Sequence, residues 1–183
     1  SSSVFALGQT LARTGKNVLI IDADMRNSSI HQLADLPNRF GLSNYLSGEE
    51  FGEKLLTPSN APRLTLMTAG PKPPNAGELL ISPRMGDLVR LATAHYDVVL
   101  IDAPPVLGIA DVPLIAKTVE GVVFTVESDG ARLRQIQHSL SRLRSAQAHV
   151  FGVIVTKNSA SRFGYGYGYG YGYGRTEEQE VTA

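Results

Sequence analysis

The chain holds 183 residues, 43% hydrophobic and 19% charged, with 17 Lys+Arg against 17 Asp+Glu for a formal net charge of +0. That length allows one domain, or one domain with a tail, and the balanced charge argues against a dedicated nucleic-acid-binding domain. The lack of Cys excludes disulfide scaffolds, thiolate zinc sites and thiol nucleophiles; no apolar run approaches the roughly 20 residues that span a bilayer, and none has the parts of a signal peptide.

Strand-like and helix-like segments alternate along the body. Residues 1–13 place Val4, Phe5, Leu7 and Leu11 near one helical face, and Gly15 stops the helix. Val18 to Ile21 is a continuous apolar run, the pattern of a strand buried on both faces. Leu64 to Met67, Val98 to Ile101, Val122 to Val126 and Val150 to Val155 are four further strand candidates. Ser82-Pro83 starts a helix through about Ala94, a polar N-cap followed by proline at the first helical position. Its apolar side is Met85, Leu88, Val89 and Leu91. Residues 111–119 form a short helix candidate. Residues 131–146 carry Leu133, Ile136, Leu140 and Leu143 at spacings of three and four, with Arg132, Arg134, Arg142 and Arg144 among them. Those arginines read as a solvated helix face in preference to a basic partner surface.

This alternation predicts an α/β fold with a parallel sheet and helices on both faces. Ligands in such folds bind beyond the carboxyl ends of the strands. The first strand ends in Ile21-Asp22-Ala23-Asp24-Met25-Arg26 and the third in Ile101-Asp102-Ala103-Pro104-Pro105. Asp22 and Asp24 are alternate residues and would share a face if the chain stays extended. Two acidic strand ends side by side repel unless a cation lies between them, and Mg²⁺ with phosphate oxygens is the natural one. A lone strand-end Asp is more often a turn former; two in one βαβ pattern favour a nucleotide–metal site. A glycosidase carboxylate pair has no other support. The phosphate cradle GxxxxGK[ST] does not occur in the 183 residues. The histidines His31, His95, His138 and His149 lack metal-ligand spacing and read as surface or structural residues, His31 standing nearest the nucleotide edge.

Several segments resemble the bacterial tyrosine kinases (BY-kinases) of capsule and exopolysaccharide export, which are similar in fold to the MinD/ParA P-loop ATPases. VLIIDADMR (residues 18–26) resembles the family's Walker A′ motif and VVLIDAPP (residues 98–105) its Walker B. GLSNYLSG (residues 41–48) resembles its GLSxxLxG segment. GPKPPNAGELL (residues 70–80) resembles G-x-x-PPNPxELL, with Ala76 where proline is usual. Gly152 to Val155 with Lys157 resembles the closing strand, with Thr156 in place of Asn. The resemblance covers nearly the whole chain.

The resemblance implies a P-loop kinase domain over residues 1–160, N-terminally truncated and lacking its first strand and P-loop, and a flexible Tyr-Gly tail over residues 161–183. In the family the P-loop Ser/Thr lies 21 residues before the first Walker A′ Asp, the separation of Ser1 and Asp22. Ser1 is thereby implied to ligate Mg²⁺ together with Asp102, with Ser1, Ser2 and Arg26 at the ATP. Asp22 would help activate the substrate hydroxyl, and Asp24 would be its partner near the transferred phosphoryl. A fragment without the P-loop lysine is expected to be inactive alone.

Residues 164–174 read GYGYGYGYGYG. Glycine at every second position weakens a strand and suits a flexible arm. By the family resemblance, Tyr165, Tyr167, Tyr169, Tyr171 and Tyr173 are autophosphorylation sites used in trans by a neighbouring subunit. Five phosphates would add about −8 to −10 charge, enough to loosen a ring-like homo-oligomer. The resemblance further implies a membrane polysaccharide co-polymerase domain or adaptor as partner, a tyrosine phosphatase, and the cytoplasmic face of the bacterial inner membrane; nucleic acid is not among the partners. The alternatives are a MinD/ParA-like ATPase switch and a non-catalytic regulatory module.

Overall fold

The structure, a computed structural model, describes residues 1–107, 112–128, 130 and 132–157. The tyrosine repeat therefore lies outside the described residues. Four strands form one sheet: β1 (Val18–Asp22), β2 (Thr57–Pro58), β3 (Leu64–Met67) and β4 (Val98–Asp102), in the spatial order β2-β3-β1-β4. β1 runs parallel to both β3 and β4, and only the two-residue β2 is antiparallel. The sequence does not announce β2, because two residues, one of them proline, carry no period.

Alternation on β1 builds a core on each face. Val18 and Ile20, with their register partners Leu64 and Leu66, face α1 (Ser2–Arg13). Gly8 lets this helix approach closely, since a Cβ there would lie 2.6 Å from Ile20 Cδ1. Leu19, Ile21 and Met67 face the other way, against Met85, Leu88 and Ala92 of α5 (Pro83–His95). The same core takes in Leu42, Tyr45 and Leu46 from α3 (Leu42–Leu46) and Ala76 and Leu80 from α4 (Ala76–Leu80). Each fully buried Leu, Ile or Met contributes roughly 1.5–3 kcal/mol. Leu91, assigned from its spacing to the apolar side of α5, is 40% exposed, and Ala92 takes the buried place. Leu7 of α1 is equally exposed. Both lie off the stripe that meets the sheet.

The remaining strands, β5 (Val122–Glu127) and β6 (Val150–Thr156), pair in parallel as a second, two-stranded sheet. They are joined through α7 (Leu133–Ser145), which buries Ser139 and Leu143. All five predicted strands are present, but among the described residues they fall into two sheets. β4 has one strand neighbour there, β1, and its first four residues are only half-buried. The predicted helix over residues 111–119 is observed as α6 (Val112–Ile115) running into a 3₁₀ turn, Ala116–Thr118. On α7, Arg132, Arg134 and Arg144 are exposed, as a solvated face requires, whereas Arg142 is half-buried and donates from Nη1 to the Val106 carbonyl at 2.8 Å. Among the described residues no helix is long and apolar enough to cross a membrane.

Candidate active site

Asp22 and Asp102 are register partners at the carboxyl ends of β1 and β4, so the sheet itself sets the two carboxylates side by side. Both are buried, Asp22 completely. The chain after β1 folds back over Asp22 and supplies three amide donors. Asp24 N–H donates to Asp22 Oδ1 at 3.1 Å. Ser29 and Ile30 N–H, at the start of α2 (Ile30–Leu33), donate to Oδ2 at 3.2 and 3.1 Å. These bonds favour the ionised carboxylate, but burial outweighs them. Burial, with a smaller push from the neighbouring Asp102 charge, raises the Asp22 pKa to about 6.

Ser1 reaches this pair from the other side. The packing of α1 on β1 carries its leading residue to the end of β4, where Ser1 Oγ donates to Asp102 Oδ2 at 2.5 Å. A hydroxyl and a carboxylate are hard oxygen donors, the kind Mg²⁺ takes one or two at a time while keeping water and phosphate oxygens. The two residues therefore fit that ion. Among the described residues no three His, Asp or Glu side chains gather as a metal cluster. Ser2 begins α1 one residue on and is exposed.

Asp24 does not share a strand face with Asp22. β1 ends at Asp22, and the chain turns. Asp24 Oδ1 accepts from the Asn27 amide at 3.0 Å, a local side-chain turn that competes with extension. Asp24 is half-buried, and Arg26 is exposed. His31 departs from the expectation of a surface or satisfied residue: it is half-buried, and its buried Nδ1 has no hydrogen-bond partner.

A junction between loops escaped the sequence reading. The Asn38 side chain accepts from Gly70 N–H at 2.8 Å, donates to the Gly70 carbonyl at 3.0 Å and reaches Ser28 Oγ at 3.3 Å. It thereby ties the loop after β1 to the loop after β3. Leu42 and Ser43 N–H donate to the Thr68 and Ala69 carbonyls at 2.8 and 2.9 Å. The GLS segment thus meets the chain just after β3, up to Gly70, where the GPKPPN segment begins. Gly70 sits at φ +75°, and a Cβ there would lie 2.6 Å from Ser43 Oγ. Nothing local in the sequence pairs Asn38 with a residue 32 positions away; Gly70 before proline was the only visible signal.

No family model matches the chain. Among curated proteins it is 34% identical over 162 residues to the tyrosine-protein kinase YwqD of Bacillus subtilis, covering 88% of this chain and 68% of YwqD. The chain belongs to the bacterial tyrosine kinase family. Some relatives are much longer: the tyrosine-protein kinase Wzc of Salmonella typhi is 36% identical over 149 residues, which is 81% of this chain but 21% of Wzc. Among solved structures, the kinase domain of Escherichia coli tyrosine kinase Etk superposes with a TM-score of 0.77 at 30% identity, over 89% of this chain and 64% of that domain. MinD from Pyrococcus horikoshii, complexed with Mg-ADP, gives 0.64 at 17% identity, over 81% of this chain and 61% of MinD. The fold is thus that of the BY-kinases and of the MinD-type P-loop ATPases.

Proposed function

We propose that this chain is the catalytic part of an ATP-dependent protein-tyrosine autokinase that phosphorylates the tail tyrosines of a neighbouring copy. The observation that carries the reading is the grouping of Ser1, Asp102 and Asp22 at one sheet edge. Ser1 and Asp102 would hold Mg²⁺, which neutralises phosphate charge when bound. Asp22 is the general base. The phenol oxygen of a tail tyrosine forms a bond to the γ-phosphorus of ATP, the bond from that phosphorus to the bridging oxygen breaks to release ADP, and the phenol proton passes to Asp22. A carboxylate raised to about 6 is still ionised at neutral pH and is a stronger base than an ordinary one. Asp24 orders the turn that keeps Asp22 in place, and Arg26 and Ser2 stand on the ATP side. The 183 residues contain no GxxxxGK[ST], so this stretch alone is inactive.

The reading extends to regulation of capsular or exopolysaccharide synthesis and export at the cytoplasmic face of the membrane, alongside a co-polymerase domain or adaptor and a phosphatase. The Tyr-Gly repeat favours an autokinase over a partitioning-type ATPase switch, because a switch has no use for five spaced acceptors. The test uses the full-length protein that carries this chain. Incubation with Mg-ATP is expected to place phosphate on Tyr165 to Tyr173 by mass spectrometry, and Asp22→Asn to slow its appearance at least about 100-fold. A tail that stays unmodified under those conditions defeats the proposal.

A further inference from the structure

Helix α7 carries a charge arrangement that neither the fold nor the catalytic reading uses. From Arg132 to Lys157 the sequence holds four Arg and one Lys and no Asp or Glu, in a chain whose formal net charge is +0. A face that is merely solvated mixes both signs; this one has a single sign. Glu127, just before the helix, is paired with Lys157 at 2.8 Å, and Arg142 turns inward to the Val106 carbonyl. Arg132, Arg134 and Arg144 are exposed, and among the described residues none of them makes an ion pair. Asp129 lies outside the described residues. Helix stability does not account for the arginines at the start of α7, because a helix N-terminus favours acidic side chains and disfavours basic ones. The first turn has no acidic residue, Arg132 is the N-cap and Arg134 the second residue of the helix. The cap is neutral: Gln135 Oε1 accepts from Arg132 N–H at 3.1 Å. Only Arg144, in the last turn, suits the helix dipole.

The outward positions of α7 form one strip. Ser139 and Leu143 mark its buried side. At about 100° per residue, Leu133, Arg134, Gln137, Ser141 and Arg144 fall within an arc of about 100° away from that side, and all five are exposed. Arg134 and Arg144 stand about 15 Å apart along the axis, with neutral Gln137 and Ser141 between them. Leu133 is 68% exposed, more than any other large apolar residue described, and it sits between Arg132 and Arg134. A strip of one sign with an exposed leucine at its end matches a layer of anionic headgroups over an apolar interior. An acidic polypeptide would pair with the arginines and leave the leucine unused.

We propose that the outward strip of α7, formed by Leu133, Arg134 and Arg144 with Arg132 beside it, docks on an anionic lipid surface and holds the domain against the bilayer. This goes beyond the kinase reading, and its physical content is a lipid preference that can be measured without any phosphoryl transfer.

The probe is a sucrose-loaded vesicle, of phosphatidylcholine alone or mixed with phosphatidylglycerol, sedimented with the full 183-residue chain. The chain is expected to pellet with the phosphatidylglycerol vesicles at low salt, to stay in solution with phosphatidylcholine, and to leave the pellet as salt rises. The double variant Arg134→Gln/Arg144→Gln changes only exposed side chains. It should fold with unchanged circular dichroism and partition about 30-fold more weakly. Leu133→Ser should weaken partitioning about 5-fold and leave its salt dependence in place. Equal partitioning to the two vesicles overturns the proposal, and so does a lipid preference that survives the double variant. Partitioning to neither vesicle overturns it as well, and binding of poly-glutamate would then give the face to an acidic polypeptide. Kinase failure reads separately: if the full-length protein leaves its tail unmodified while this chain still selects anionic vesicles, the catalytic reading falls and the lipid-binding face stands.

Discussion

β1 and β6 are both runs of apolar, mostly β-branched residues in parallel pairings, yet their surroundings differ. Every residue of β1 is buried, whereas Phe151, Val153, Ile154 and Val155 of β6 are 63, 50, 42 and 58% exposed. β1 has β3 on one side and β4 on the other, with α1 on one face and α3, α4 and α5 on the opposite one. β6 has β5 alone beside it among the described strands. An apolar run therefore declares what a strand is able to bury, and its neighbours decide how much of it is buried. The candidate site lies at the end of the well-surrounded strand, where Asp22 loses contact with water for the same reason that Ile21 does.

The largest expected effect tests this contrast directly. Ile21→Ala removes packing atoms from a completely buried position and should cost about 2–5 kcal/mol. Val153→Ala, at a half-exposed position of β6, should cost less than about 1 kcal/mol. Urea unfolding of the two variants reads the difference as a shift in midpoint at constant slope. Similar losses would mean that β6 is covered as completely as β1, and the contrast would not hold.

The strand cores and both acidic strand ends were legible in sequence, because a continuous apolar run ending in Asp has few other uses. The four predicted helices, α1, α5, α6 with its 3₁₀ extension and α7, were legible to within about two residues from their apolar spacing and caps, whereas the short α2, α3 and α4 were not. The division of the described strands into two sheets was not, since strand partners are chosen by long-range contacts that no local period encodes. The partnership of Asp22 with Asp102 was implied by the fold class, but the departure of Asp24 from the strand was not. An Asp two residues past a strand bends the backbone as readily as it continues it, and here the Asn27 amide decides. Asn38 was illegible altogether, because its partners come from two other loops.

A smaller effect follows from the burial of Asp22. Its pKa is about 6 in the folded chain against 3.8 in an unfolded one. Between those values the folded state holds a proton that the unfolded state has lost, so this residue's contribution to stability rises as pH falls through 6. The gain is about 1.4 kcal/mol on going from pH 8 to pH 5, and levels off near 3 kcal/mol below pH 4. Other carboxylates have their own pH dependence, so the quantity to measure is the difference from Asp22→Asn, which has no proton to gain. Urea midpoints of both proteins at pH 8 and pH 5 give it. A wild-type advantage that fails to grow on acidification would place Asp22 in water, and with it would go the claim that the site end of β1 is as dry as its middle.

The smallest effect asks whether that dryness extends past the strand end into the loops. Past Ala23, whose N–H donates to the Asp102 carbonyl of β4 at 2.9 Å, residues 24–29 and 70–75 lie outside the strands, and the Asn38 side chain links the two loops. Asn38→Ala leaves both Gly70 main-chain groups and Ser28 Oγ without this partner. Because the site is only part-buried, water can replace some of what is lost, and the cost should be about 1 kcal/mol. The more telling readout is local. Hydrogen exchange should quicken at the Gly70 amide, which has lost its acceptor, and at the Ser29 and Ile30 amides, which cover Asp22. The Ile20 amide in the middle of β1 should be unaffected. Faster exchange along all of β1 would instead make Asn38 part of the core. No change at Ser29 and Ile30 would show that Asp22 orders its loop by itself, and the boundary between the packed sheet and the looser site edge that Asn38 holds would then lie one loop further out.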